Sequence, residues 1–135
     1  MSQQASTSSD SNPVNTINAV VLVGHCGFDQ SSITRAVSAA LPGCTIKSVN
    51  DSASLDGYTG PDSLLLINRV LDGRFATGSG IDLIADLASH DTPPKMMLIS
   101  NYPDAQAQAV QAGALPGFGK NELGTPETTG KLKAV

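Results

Sequence analysis

Apolar residues in this chain fall into short uninterrupted runs, separated by stretches where they recur every third or fourth position. The first run, Ala19-Val20-Val21-Leu22-Val23, is mostly β-branched and is closed by Gly24, the pattern of a strand buried on both faces. A loop follows, Gly24-His25-Cys26-Gly27-Phe28. Beyond it, Ile33, Ala36, Val37, Ala40 and Leu41 share one helical face until Pro42-Gly43 stops the helix, with Asp29 or a neighbouring Ser as the expected N-cap. The alternation then repeats. A weaker strand is expected over 44–49, a short helix over 51–55, and a strong strand at Leu64-Leu65-Leu66-Ile67. A long loop over 68–79 precedes a helical pattern over 81–87, and Pro93-Pro94 breaks the chain before the strand Met96-Met97-Leu98-Ile99. Pro103 suits the first turn of the next helix, which ends at Gly113; a last short strand is expected over 115–119, and Thr125-Pro126 opens a modest final helix.

Five strands alternating with about five helices predict an α/β fold. Parallel neighbours need crossover helices, and these wind right-handedly, so the expected architecture is a doubly wound five-stranded parallel sheet, flavodoxin-like, in a three-layer α/β/α sandwich. In such a sheet functional groups gather outside the carboxyl ends of the strands. The residues placed there are His25 and Cys26, Asn68, Ser100 and Lys120. Residues 1–18 are almost entirely Ser, Gln, Asn and Thr and read as a disordered polar leader, leaving 19–135 as the folded domain.

Composition narrows the functional classes. With 8 Lys+Arg against 12 Asp+Glu the net charge is −4, and no basic run provides the electrostatic footprint of nucleic-acid binding, so nucleic acid is not an expected partner. No apolar run reaches membrane-spanning length and no signal-peptide pattern opens the chain, so no membrane association is expected and a cytoplasmic location is the default. Two cysteines in a chain able to build its own core do not call for a disulfide framework.

The alternation, together with Leu65-Leu66-Ile67-Asn68, Ser79-Gly80-Ile81-Asp82-Leu83, Met97-Leu98-Ile99-Ser100 and Ala112-Gly113-Ala114 followed by Lys120, resembles the receiver domain of two-component response regulators. The resemblance covers roughly residues 19 to 120 and implies the CheY-like fold. It further implies a phosphorylated Asp at the end of the third strand, two acidic residues after the first strand that hold Mg²⁺, a Ser/Thr ending the fourth strand and a Lys ending the fifth. Ser100 and Lys120 match the last two. The phosphoacceptor position is Asn68, whose neutral amide cannot attack phosphorus. The acidic-pair positions are His25 and Cys26, which are not the hard oxygen donors Mg²⁺ requires. Gly117 stands where the family usually has an aromatic residue that swings inward, with Phe118 expected on the opposite face. The loop after Asn68 is longer and more Gly-rich than the family pattern, and Asp72-Gly73 within it reads as a turn rather than a displaced phosphorylation site.

These matches and departures describe a degenerate pseudo-receiver with no catalytic residue, no metal and no cofactor. The expected function is that of a stand-alone module in two-component-type signal transduction, acting by phosphorylation-independent protein contact. The contact face implied by the resemblance is formed by the fourth helix, the fifth strand and the final helix, and it takes a protein partner or a second copy of the chain. Lys120 is expected either to keep a free charge or to bond the Asn68 carbonyl oxygen. The alternative is a flavodoxin-like domain that binds a small anion or runs thiol chemistry through His25, Cys26, Ser100 and Lys120; its Gly-rich loops show neither a Walker A pattern nor G-x-G-x-x-G. A metal site is disfavoured because His25 and Cys26 are adjacent and His90, the other histidine, is expected far away. An ordinary phosphorelay role would need Asp62 or Asp72 as acceptor, and neither ends a strand.

Overall fold

The computed structural model describes residues 17–135. Strands β1 (Ala19–Val23), β2 (Thr45–Val49), β3 (Ser63–Asn68), β4 (Lys95–Ile99) and β5 (Leu115–Phe118) form one parallel sheet in the order β2-β1-β3-β4-β5. Helices α1 (Gly27–Ala40), α2 (Ser52–Leu55), α3 (Gly80–Ala88), α4 (Pro103–Ala112) and α5 (Pro126–Lys133) connect them or close the chain, with 3₁₀ turns at 56–58 and 120–122 that the sequence pattern does not announce. The doubly wound α/β sandwich is therefore the observed fold.

Strand side chains alternate between two cores, as a pleated strand buried on both faces requires. On one face Val21, Val23, Leu65, Ile67, Met96 and Leu98 pack against Leu83, Ile84 and Leu87 of α3 and Ala105 and Ala109 of α4. On the other, Val20, Leu22, Leu64, Leu66, Met97, Ile99 and Phe118 meet Ile33 and Val37 of α1 and Leu132 of α5. Phe118 thus lies on the face opposite α4, as its place in β5 predicts. The helix starts have local causes: Ser79 Oγ accepts from Asp82 N at 3.3 Å to open α3, Thr125 Oγ1 accepts from Thr128 N at 3.3 Å to open α5, and Pro103 occupies the first turn of α4.

The expected leader falls outside the described residues up to position 16. Its last two residues belong to the fold. Ile17 packs on the α1/α5 core, and Asn18 Nδ2 donates to Asp62 Oδ2 at 2.9 Å. Among the described residues no helix is long and apolar enough to cross a membrane.

Candidate functional site

Parallel strands all deliver their carboxyl ends to one edge, and this edge receives His25, Cys26, Asn68, Ser100 and Lys120. Asn68, Ser100 and Lys120 come together there, lining a cavity of about 190 Å³ with Arg69, Val70 and Tyr102. His25 and Cys26 are not part of its lining. His25 turns inward and is buried, whereas Cys26 is exposed at the start of α1.

Two local expectations are corrected. Asp29 is not the helix cap: Cys26 holds that position, without a side-chain capping bond. Asp29 lies in the first turn of α1, and its Oδ2 accepts a 2.6 Å bond from Lys120 Nζ, an ion pair between side chains about 34% and 22% exposed, Lys120 first. Lys120 therefore neither keeps a free charge nor bonds Asn68, because a carboxylate one helical turn from β1 outcompetes a neutral amide. The Asn68 amide is engaged elsewhere, its Nδ2 donating to Gly24 O at 3.0 Å and to Val70 O at 2.8 Å. The Lys120 hydrogen bond holds Asp29 below the usual carboxylate range against the opposing effect of burial, and the Cys26 thiol bonded to the same carboxylate adds to it. Ser100 Oγ accepts from Tyr102 N at 3.1 Å, which leaves its O–H to donate.

His25 Nε2 lies 2.8 Å from Leu66 O. A carbonyl accepts only, so Nε2 carries a proton. Burial pushes its pKa down and the Lys120 charge adds to this, while the Leu66 bond and Asp29 pull the other way. Its buried Nδ1 has no hydrogen-bond partner among the described residues. The ring thus braces β1 against β3 and makes no bond to Cys26, so no thiol–imidazole dyad forms of the kind that activates a catalytic cysteine.

The loop after β3, read as long and Gly-rich, is tied down by backbone bonds on either side of Gly73. Asp72 N donates to Gly24 O at 2.9 Å and Arg74 N donates to Asn50 O at 2.7 Å. Asn50, just past β2, donates through Nδ2 to Asp72 O at 2.7 Å and His25 O at 3.1 Å, and accepts from Gln30 Nε2 at 3.1 Å. Gly73 has φ +124°, and a Cβ there would overlap the Asn50 carbonyl. Leu71 is buried over Gly24 in the α3-side core. Asp72 is exposed, but it sits in this bonded strap and not at a free tip.

The Mg²⁺ site implied by the resemblance can be tested on this donor set, and it does not fit. The β1 end offers a glycine covered by Leu71, a buried imidazole whose Nε2–H is committed to Leu66 O, and a thiol, while the nearby carboxylate, Asp29, is already paired with Lys120. Among the described residues no group of three or more His, Cys, Asp or Glu is close enough to share an ion.

On the other half of the edge, one side chain that the sequence reading passed over organises the geometry. Gln106 of α4 reaches between β4 and β5: its Nε2 donates to Leu98 O at 2.9 Å and Ser100 O at 3.1 Å, and its Oε1 accepts from Gly117 N at 3.2 Å. The β4–β5 register shifts between Met97 and Ile99, so the ladder leaves these groups to the amide. A Cβ at Gly117 would overlap the Leu98 carbonyl and crowd the Gln106 amide. In place of a mobile aromatic ring, then, α4 is fixed by a polar clamp. Outside the clamp lies a groove of about 710 Å³ between α4, β5, the 3₁₀ turn at 120–122 and Lys131 of α5, walled by Tyr102, Val110 and Pro116 and floored by Gly117.

No family model matches the sequence, and no curated protein matches it. Solved structures do match the fold. The signal receiver domain of a DNA-binding response regulator from Colwellia psychrerythraea 34H superposes with a TM-score of 0.63 at 16% identity, over 87% of this chain and 95% of that one. The phosphorylated cyanobacterial phytochrome response regulator RcpA gives 0.57 at 15% identity, covering 87% and 89%. The beryllofluoride-activated NtrC4 receiver domain dimer gives 0.55 at 17% identity, covering 77% and 84%. The fold of this chain is that of response regulator receiver domains.

Proposed function

We propose that this chain is a pseudo-receiver of two-component-type signalling, acting by phosphorylation-independent protein contact through its α4–β5–α5 face. The observation that carries the reading is the end of β3, where receiver chemistry would need a carboxylate nucleophile. Asn68 stands there with its amide tied to Gly24 and Val70, and the Lys120 ammonium is satisfied by Asp29. The Gln106 clamp supports the same reading, because a switch needs two packings of α4 against β5 and this one is cross-linked. The similar structures include a phosphorylated response regulator and a receiver dimer, so the fold accommodates both a chemical input and protein assembly. Here the contact function is retained and the chemistry is not.

Intact-mass spectrometry after incubation with acetyl phosphate and Mg²⁺ tests the proposal. The natural chain is expected to gain no phosphoryl group. A variant carrying Asn68→Asp, His25→Asp and Cys26→Asp probes whether restoring carboxylates at these positions restores acceptance. A phosphoryl adduct on any Asp of the natural chain overturns the reading.

A further inference from the structure

The groove over Gly117 and the smaller cavity beside Asn68 are not separate. Both are lined by Ser100, Asn101 and Tyr102, so they form one continuous surface that bends around the Tyr102 ring. Its apolar walls are exposed, with Tyr102 60% and Val110 45% accessible. Its cationic groups sit at opposite ends. Arg69 lies over the Tyr102 ring with its guanidinium carbon 5.0 Å from the centroid, and Lys131 Nζ reaches the groove floor, donating to Gly117 O at 2.7 Å.

Among the described residues the single ion pair is Lys120 with Asp29, so Arg69 and Lys131 have no carboxylate partner there. Glu122 also lines the groove, but its Oε1 is turned onto the Gly119 N–H at 2.8 Å. What sets Arg69 and Lys131 apart from the other unpaired cations is their place, one beside the Tyr102 wall and one on the groove floor. An apolar groove ringed this way selects by charge as well as by shape, because like-charged partners are repelled and opposite ones are steered in.

Resting on the contact reading above, we infer that this surface takes an acidic, apolar segment of a partner protein. An apolar side chain enters over Gly117 between Tyr102 and Val110. Carboxylates on either side of it meet Lys131 and Arg69. The Gln106 bonds to β4 and β5 hold the Gly117 floor in place, so the groove is preformed and little ordering cost is expected on docking.

The test is an amide NMR titration of the ¹⁵N-labelled chain with two synthetic tetrapeptides, acetyl-Glu-Phe-Leu-Glu-amide and its neutral counterpart acetyl-Gln-Phe-Leu-Gln-amide. The acidic peptide is expected to shift Tyr102, Val110 and Gly117 and to bind roughly fivefold more tightly than the neutral one, the scale of partly exposed ion pairs. In an Arg69→Gln, Lys131→Gln variant the two peptides are expected to bind equally, whatever the affinity of the neutral one; unchanged amide positions elsewhere verify the fold. Equal affinities of the two peptides at these residues overturn the acidic preference and leave the contact face standing. Shifts confined to another face of the molecule overturn the contact face itself, and no shift from either peptide overturns the acidic-segment proposal.

Discussion

The two halves of the sheet's carboxyl edge are built in opposite ways. At β1 and β3 the edge is filled: Leu71 covers Gly24, Asn50 staples the strap at Asp72, and the Asn68 amide bonds two backbone carbonyls. At β4 and β5 it is open, with a groove of about 710 Å³ over a glycine floor and exposed Tyr102 and Val110 along its walls. Both halves are rigid, but rigidity serves different ends. In the filled half, backbone and amide bonds tie the strap and Asn68 to the end of β1. In the open half, the Gln106 clamp secures the frame from behind and leaves the outer surface exposed.

The largest effect expected from breaking this contrast comes from Gly73→Ala. A Cβ at φ +124° collides with the Asn50 carbonyl, so the strap must lift, and a loss of about 2 to 4 kcal/mol is expected in urea unfolding. The groove amides should keep their chemical shifts, since the strap does not reach them. Next comes Gln106→Ala, which strips partners from Gly117 N and from carbonyls between β4 and β5; about 1 to 3 kcal/mol is expected to be lost. Hydrogen exchange should then rise across α4 and β5 and stay unchanged at β1. Equal exchange at both ends of the sheet would contradict the separation of the two halves.

A pH effect sharpens the account of the filled half. His25 titrates below its ordinary 6.5 when folded, so the unfolded chain takes up a proton that the folded chain refuses. Stability from this site is complete above pH 6.5 and declines as pH falls from there through the lowered folded value. The urea midpoint should drop over that window, and His25→Phe should flatten the drop. The smallest effect belongs to Lys120→Met. The ion pair with Asp29 is partly exposed, and less than about 1 kcal/mol is expected from its loss.

The elements were legible because they rest on local signals. Runs such as Leu64-Leu65-Leu66-Ile67 can only be strands buried on both faces, and Pro103 and Gly113 punctuate α4 as such residues do. The identities at the edge, Asn68, His25, Cys26, Ser100 and Lys120, were equally legible, since strand order alone sends them there. Their partners were not. The Lys120–Asp29 pair joins residues 91 apart in sequence, and Gln106 meets Gly117 only because β5 carries an extra residue against β4. Asn50 follows a weak strand, and nothing in its neighbourhood announces the strap it holds. A sequence pattern reports which face a residue occupies; which long-range donor reaches it depends on register shifts and loop paths that no periodicity encodes.

The central claim is that this receiver fold works by contact without a phosphoryl switch. Its most direct test is backbone hydrogen exchange across residues 97–119, measured with and without acetyl phosphate and Mg²⁺. The account predicts identical protection in both conditions, with the Gln106-clamped segment of α4 and β5 unmoved. A change in protection there under phosphorylating conditions would contradict it.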